Sequence, residues 1–484
     1  MASKSSHQVI IVGGGITGLT LALMLQNLNI DFVLLEGYSS VTPNVGASIG
    51  LYANGVRVLD QLGLYQDILK VAQSAKRHVV RDGDTGKVLT RLPCGPELEA
   101  RHGYSALFMQ RHQLLCILYE HLVEKERVLV NKKVHRIEHL ADSVLVHTTD
   151  GGVFEGQMVV GADGVHSTVR KEMRRTAEEL EPGYIPKKDK ENIKCEYACV
   201  FGFAKPTKTI APGDVVAASK NYATAGVMGA QTGEVFLFWF WKLPSSQSSC
   251  KVEDIPRLTK EDQARELQRG GDVIVADPEV RLKDVVNNLE RSAVTALPHF
   301  VFSKWHFRRV ITVGDAAHKF NPLVGQGGNS CIESCAALVN ELTATLSASD
   351  LASPSWPLES LEKVFTAVET QRVPRLLEMV EKSQQAQRAS AWDSWALKLA
   401  SKYVVPLQSL HQFTDFYSSF ITGGVSLKTL AMPDAIHEWP YDDEKKDIKR
   451  QGSNLPVILT TASFAAFAGI LLERKLRNGT ILGN

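Results

Sequence analysis

The chain lacks the features behind several common functional readings. Its formal net charge is only +1 over 484 residues, so no global field favours nucleic acid, and the basic cluster RKEMRR at 170–175 reads as a solvated helix face. The seven cysteines include Cys195 with Cys199 and Cys331 with Cys335, each pair four apart. That spacing is neither C-x-x-C nor a zinc ribbon, so no metal site is expected. The opening MASKSSHQ is polar and leads straight into an apolar run. No secretory signal is therefore expected, and reduced thiols in the cytosol are. There is no internal repeat, no Ser-His-Asp set and no carboxylate pair. Nor does a second G-x-G-x-x-G follow a strand, so one dinucleotide cradle is expected rather than two.

What is present is concentrated in three stretches. The first is VIIVGGGITGLT: an apolar β run, Val9 to Val12, breaks into Gly13-x-Gly15-x-x-Gly18 and then an apolar helix. In such a turn the first glycine permits the tight geometry, the second lets a pyrophosphate approach the backbone, and the third allows close helix–sheet packing. A second apolar run, Phe32 to Leu35, ends in Glu36, where an acidic side chain accepts ribose hydroxyls and disfavours a 2′-phosphate. The unit is a dinucleotide-binding βαβ for FAD or NAD. The second stretch carries Asp163-Gly164 after the run Met158 to Val160, followed by Ser167 and Arg170. In the third, Val310 to Val313 precede Gly314-Asp315, and Pro322, Gly325, Gly327, Gly328 and Asn329 lead into another apolar helix. The chemistry suited to this order is an acidic group for ribityl hydroxyls, then bare amides at a helix N-terminus.

Together the stretches resemble the flavin-dependent monooxygenases of the single-component aromatic-hydroxylase type, which carry G-x-G-x-x-G, D-G-x-x-S-x-V-R, and G-D-A-A-H followed by P-x-x-G-x-G-x-N. The wording LLEGYSSVTPNVGASIGLYANGVRVLDQLGL around Glu36 and Gly50 is most similar to the fungal epoxidases of meroterpenoid and indole-diterpene biosynthesis. The resemblance implies FAD as cofactor, held by Gly13, Gly15, Gly18, Glu36, Gly50, Arg111, Asp163, Asp315 and Gly328. It also implies NADPH or NADH and O₂ as co-substrates, with oxygen transfer through a flavin C4a-hydroperoxide. The expected reaction is epoxidation of a terminal or near-terminal alkene on an apolar prenylated precursor, with a terpene cyclase acting downstream. An aromatic-ring hydroxylase is the nearest alternative, and a non-catalytic prenyl-binding escort is the alternative of another class. Tyr222 is nominated as the catalytic residue that orients substrate or relays a proton, against the reading of a buried tyrosine bonded to a carbonyl. His318 reads as a loop cap rather than a base.

The length exceeds one ordinary core, so several domains are expected. The predicted fold class is α/β, α+β overall: a Rossmann-type FAD-binding domain, discontinuous over 1–75, 108–189 and 296–385, with an inserted β-sheet substrate domain at 76–107 and 190–295. FLFWFWKL at 236–243 is too apolar and short for anything but a strand, and it lacks the alternation of a solvated face. Additional helices are expected at 386–440 and a linker at 441–454. The uncharged run LPVILTTASFAAFAGILL at 455–472, flanked by basic residues, reads as a C-terminal transmembrane helix, with an interfacial or core helix as the competing reading. The anchor reading places the catalytic domain on the cytosolic side of an internal membrane, the endoplasmic reticulum.

Overall fold

The computed structural model describes residues 5–445 apart from 45–46, 192, 208, 245–248, 278 and 354. Its first sheet is built on strand Ser5–Val12, which pairs in parallel with Phe32–Leu35 on one side and Val153–Gly161 on the other. Strand Val310–Thr312 extends the sheet in parallel beyond Val153–Gly161. The register sets Val12 beside Gly161 and Gly161 beside Thr312, so the three sequence stretches all leave the carboxyl ends of adjacent parallel strands. At the central strand the order also reverses direction, the crevice where open α/β sheets bind nucleotides. The runs Val9–Val12 and Phe32–Leu35 are continuously apolar because this sheet is covered on both faces.

The second sheet has nine strands, in the order His318–Lys319, Leu289–Val301, Ile193–Ala204, Val235–Lys242, Ala223–Gly229, Asp214–Lys220, Arg77–Asp82 and Val88–Leu92, with Ser249–Cys250 beside Ile193–Ala204. FLFWFWKL is one of its central strands, and its lack of polar alternation has a direct cause. Phe238 and Phe240 face a cavity, while Leu237, Trp239 and Trp241 pack into a separate core with Leu267 of helix Lys260–Gly270.

The expected boundaries shift in three places. Strand Leu289–Val301 runs through the 295/296 division, and His318–Lys319, from the flavin side of the chain, joins the second sheet. Helix Leu358–Ser390 runs past residue 385, leaving Trp395–Tyr403 and Leu410–Ile421, with a short 3-10 turn at Val405–Leu407 between them, as the described helices that lie wholly within 386–440. The start of the charged linker is locked down rather than free. Tyr441 is buried with its hydroxyl donating to the His102 carbonyl at 2.7 Å, and the Arg57 guanidinium lies 3.6 Å from the Tyr441 ring while bonding Asp443 and Glu444. No helix among the described residues is long and apolar enough to cross a membrane, and the run 455–472 lies outside the described residues.

Candidate flavin and substrate site

Each glycine of the first turn has a distinct steric reason. Gly13 has φ +106°, and a Cβ there would lie 2.6 Å from the Ala162 carbonyl oxygen. A Cβ at Gly18 would sit 1.9 Å from the Gly13 oxygen, so the helix packs on the turn only without a side chain. Gly15 differs: its nearest neighbour would be the Arg111 guanidinium at 3.5 Å, which leaves its outer side open to a ligand. Helix Ile16–Asn27 begins there with no side chain capping its amides. Just beyond, Glu36 accepts from the Gly14 amide at 2.6 Å and the Tyr38 amide at 2.8 Å. These bonds aim its carboxylate along the turn and leave lone pairs for ribose hydroxyls.

A second bare helix start meets the same space. Gly325, at φ +66°, precedes helix Gln326–Thr345, again without a side-chain cap, and nothing lies within 4 Å of where a Cβ at Gly327 would be. Gly328 is bare for another reason, since its Cβ would meet Ile49 at 2.6 Å. Asn329 fixes this loop: its amide donates to the carbonyls of Gly50 at 3.0 Å and Gly325 at 2.8 Å, and its oxygen accepts from the Tyr52 amide at 3.0 Å. Asp315 sits between the two helix starts, paired with Lys319 and 3.9 Å from the Cys331 thiol, which burial pushes up to about 12 and so keeps neutral. The Arg111 guanidinium lies beside Gly15; burial lowers its pKa, and Asp315 and Glu36 partly restore it. Two uncapped helix N-termini, the open flanks at Gly15 and Gly327, and carboxylates at Glu36 and Asp315 fit an FAD laid across both helix starts.

Gly15, Arg111, Asp315, Gly325, Gly327 and Gly328 line one end of a cavity of about 1090 Å³, just above the ~300–1,000 Å³ usual for a single small-molecule site. The other end is the face of the second sheet, with Phe201, Val216, Met228, Phe238, Phe240 and Leu297. Tyr52 and Tyr417 stack at 5.8 Å between the two ends, and Phe413, Phe416 and Leu397 close it from the C-terminal helices.

One expected site residue stands elsewhere, and another is engaged by the fold. Tyr222 does not reach the cavity: it occupies the tight turn joining Asp214–Lys220 to Ala223–Gly229, with φ +61° and half its surface exposed. A hairpin of that register turns the residue outward at the sheet's end. Asp163 is at the site, but its carboxylate is taken up by capping helix Thr168–Leu180, accepting from the amides of Thr168 at 2.7 Å and Val169 at 3.0 Å and from the Ser167 hydroxyl. Its part is to hold the loop whose Gly164 and Val165 line the cavity. Arg170 then ties that loop to the third stretch, donating to the Val165 carbonyl at 2.6 Å and the Ala316 carbonyl at 2.7 Å. His318 is fully buried, bonded to the Ser334 hydroxyl at 3.0 Å, and burial drives its pKa well down, so it is a neutral packing residue.

The residues unforeseen from sequence lie under the glycine loop. Glu333 is wholly buried and bonds Arg372, Arg375 at 3.0 Å and Asn54 at 2.6 Å. Burial opposes its ionisation, yet the two arginines outweigh it and hold Glu333 down to about 2. No local spacing could have paired a glutamate with arginines about forty positions away.

Comparison with known proteins agrees with this geometry. The FAD binding domain family matches residues 6–186 and 256–353. The FAD-dependent monooxygenase olcE of Penicillium canescens is 34% identical over 88% of this chain and 90% of its own, and nvfK of Aspergillus novofumigatus is 32% identical over 98% and 99%. Among solved structures, Klebsiella pneumoniae HpxO, complexed with FAD and uric acid, superposes with TM-score 0.68 at 21% identity, covering 85% of this chain and 97% of its own. The p-nitrophenol 4-monooxygenase PnpA of Pseudomonas putida gives 0.66 at 19% identity, covering 86% and 99%. With the FAD binding domain matched over more than half of the chain and relatives of this kind along most of its length, the chain belongs to the FAD-dependent monooxygenases and is an oxidoreductase that uses FAD.

Proposed function

We propose that this monooxygenase uses NADPH or NADH and O₂ to epoxidise a terminal or near-terminal alkene of an apolar prenylated precursor in secondary metabolism. The observation that carries the reading is the substrate end of the cavity: among the described residues, its lining from the second sheet contains no Asp, Glu or Arg, and its one Lys, Lys319, is paired with Asp315 at the flavin end. Such a wall suits a hydrocarbon chain and offers nothing to neutralise a charged aromatic acid. Bound FAD would supply the reductive activation of O₂ and the electrophilic oxygen atom. The chain's own residues bind and shield. Gly15 and Gly327 leave room for the cofactor, Glu36 and Asp315 accept from its hydroxyls, Tyr52 and Tyr417 separate it from bulk water, and Phe238 and Phe240 orient the alkene.

The apolar run 455–472, with basic residues on both sides, supports a single-pass C-terminal anchor, with the catalytic body on the cytosolic face of the endoplasmic reticulum. An epoxide product would suit acid-initiated ring closure by a terpene cyclase. Turnover under ¹⁸O₂ with a prenylated phenol tests the reaction. One label in an epoxide on the chain supports the proposal; a label on the ring would make this an aromatic hydroxylase, and unlabelled oxidised product would exclude both.

A further inference from the structure

Helix Trp395–Tyr403 is apolar on two sides. Leu397, Ala400 and Ser401, followed by Val405 and Gln408, line the cavity. The other side presents Trp395, Leu399 and Tyr403 at i, i+4 and i+8, exposed by 63%, 47% and 67%, and the stripe continues through Val404 to Leu407 at 81%. Single exposed apolar residues are ordinary, whereas a contiguous row of this kind marks an interaction surface. The helix is pinned with this row outward. Lys398 donates to Asn221 at 2.9 Å, Lys402 pairs with Asp82 at 2.6 Å, and both ammonium groups lie 5.0 Å from the Trp392 ring. Asn221 precedes Tyr222, so the half-exposed phenol that fails to reach the cavity stands at the edge of this row.

The route of the chain supplies the occupant. Ile436, 95% exposed, and Trp439 are on the neighbouring rim: Arg101 lies 4.3 Å from the Trp439 ring and bonds His411, four positions after Leu407, at 3.0 Å. His437 holds Glu444 at 2.9 Å, so the chain passes residue 445 beside that rim, and the basic residues Lys445, Lys446, Lys449 and Arg450 and the uncharged run 455–472 follow.

We propose that the row Trp395, Leu399, Tyr403 and Leu407, with Tyr222, Ile436 and Trp439 at its margin, lies in the headgroup boundary of a lipid bilayer and opens the substrate end of the cavity toward it. This deepens the membrane reading above and rests on it. Trp and Tyr favour that boundary because one end of the ring is apolar and the other polar. A tail tethered in the same bilayer raises the effective concentration of the row at the surface, so a modest apolar face suffices. An alkene dissolved in the lipid would then reach Phe413 and Phe416 past Leu397 without crossing water.

The test uses the full-length protein carrying Leu399→Cys, labelled with an environment-sensitive fluorophore, and vesicles of phosphatidylcholine with phosphatidylserine. Val123→Cys, at an exposed site by the far end of helix Ile16–Asn27, is the control. Flotation of the protein with the vesicles reads the tail anchor. A blue shift at position 399, quenched by doxyl-labelled lipid and absent at position 123, reads the docking row. Flotation with an unshifted label at 399 overturns the inference and leaves the anchor standing. An unshifted label without flotation overturns both. A label already shifted in the absence of lipid means that the tail or a second copy covers the row, which also overturns it. As a second arm, Leu399→Ser with Leu407→Ser should raise KM for vesicle-borne alkene roughly tenfold. In detergent its kcat should match that of the unaltered protein, whereas equal losses in both media would mark the row as structural.

Discussion

Asn329 holds Gly50 from 279 positions away, its amide nitrogen 3.0 Å from the Gly50 carbonyl oxygen, and the same side chain accepts from the Tyr52 amide. One residue thus clamps the first helical turn of Gln326–Thr345 to the strand Ser48–Leu51, and with it the glycine loop that lines the flavin end of the cavity. Asn329→Ala leaves a buried carbonyl and a buried amide without partners, at ~1–3 kcal/mol each. The expected outcome is a protein that purifies with at most a tenth of the flavin of the unaltered chain, read as the ratio of absorbance at 450 to 280 nm. Full occupancy would mean that the clamp is not what shapes the cradle.

The Glu333 network should matter to stability before chemistry. Glu333 and Arg372 are both wholly buried, so Glu333→Gln strands a guanidinium that water cannot reach. Removing one partner of such a pair costs roughly 3–5 kcal/mol. Urea unfolding should show a midpoint shift of that size with an unchanged slope. A change under 1 kcal/mol would show that Arg375 and Asn54 accommodate the loss.

The first glycine stretch was readable because its turn answers local constraints: the positive φ of Gly13 and the 1.9 Å clash between Gly18 and the Gly13 oxygen are set within a few residues. Glu36 and Asp315 follow strand ends at fixed offsets, so their places in the fold were readable for the same reason. The strand character of FLFWFWKL was legible from composition, whereas its division into a cavity face and a core face depends on helix Lys260–Gly270, which sequence pattern does not dock. Tyr222 was misplaced because polar character says nothing about whether a residue sits in a strand or in the turn ending it. The linker at 441–454 was misread in its first residues because YDDE looks solvated, while its anchor, Arg57, lies on helix Ala53–Gln61, far away in sequence.

Acid should destabilise the protein by way of histidines first. Burial lowers His102 and His139 to about 4 and His299 to about 3, against an ordinary 6.5. Between those values the unfolded chain binds protons that the folded chain refuses, so stability falls as pH drops from about 6.5 toward 4. Each such histidine contributes a slope of roughly 1.4 kcal/mol per pH unit in that window. Glu333 acts lower: its contribution is complete above about 4.5 and is lost progressively as pH falls from there through about 2. Urea midpoints that stay level from pH 6.5 to 4.5 would contradict the histidine account.

His78 and Tyr222 should respond differently to substitution. His78 lines the cavity beside Phe413, with ring centroids 4.8 Å apart, and its Nδ1 is buried without a partner. Burial lowers the ring to about 4, so it is a neutral imidazole at working pH, one donor and one acceptor on a largely apolar wall whose other neutral polar side chains are the hydroxyls of Ser219, Thr224 and Thr295. A hydroxyl or carbonyl at one end of a prenylated substrate would find its partner there, leaving the chain to run along Val216 and Phe240. Losing one neutral hydrogen bond costs ~0.5–1.5 kcal/mol, so His78→Leu should raise KM roughly twofold to tenfold with flavin content intact and kcat little changed. Tyr222→Phe, at a turn outside the cavity, should alter neither constant in detergent. If Tyr222→Phe lowers kcat while His78→Leu leaves KM alone, the substrate lies at the hairpin end and the assignment of the sheet face as its binding wall is wrong.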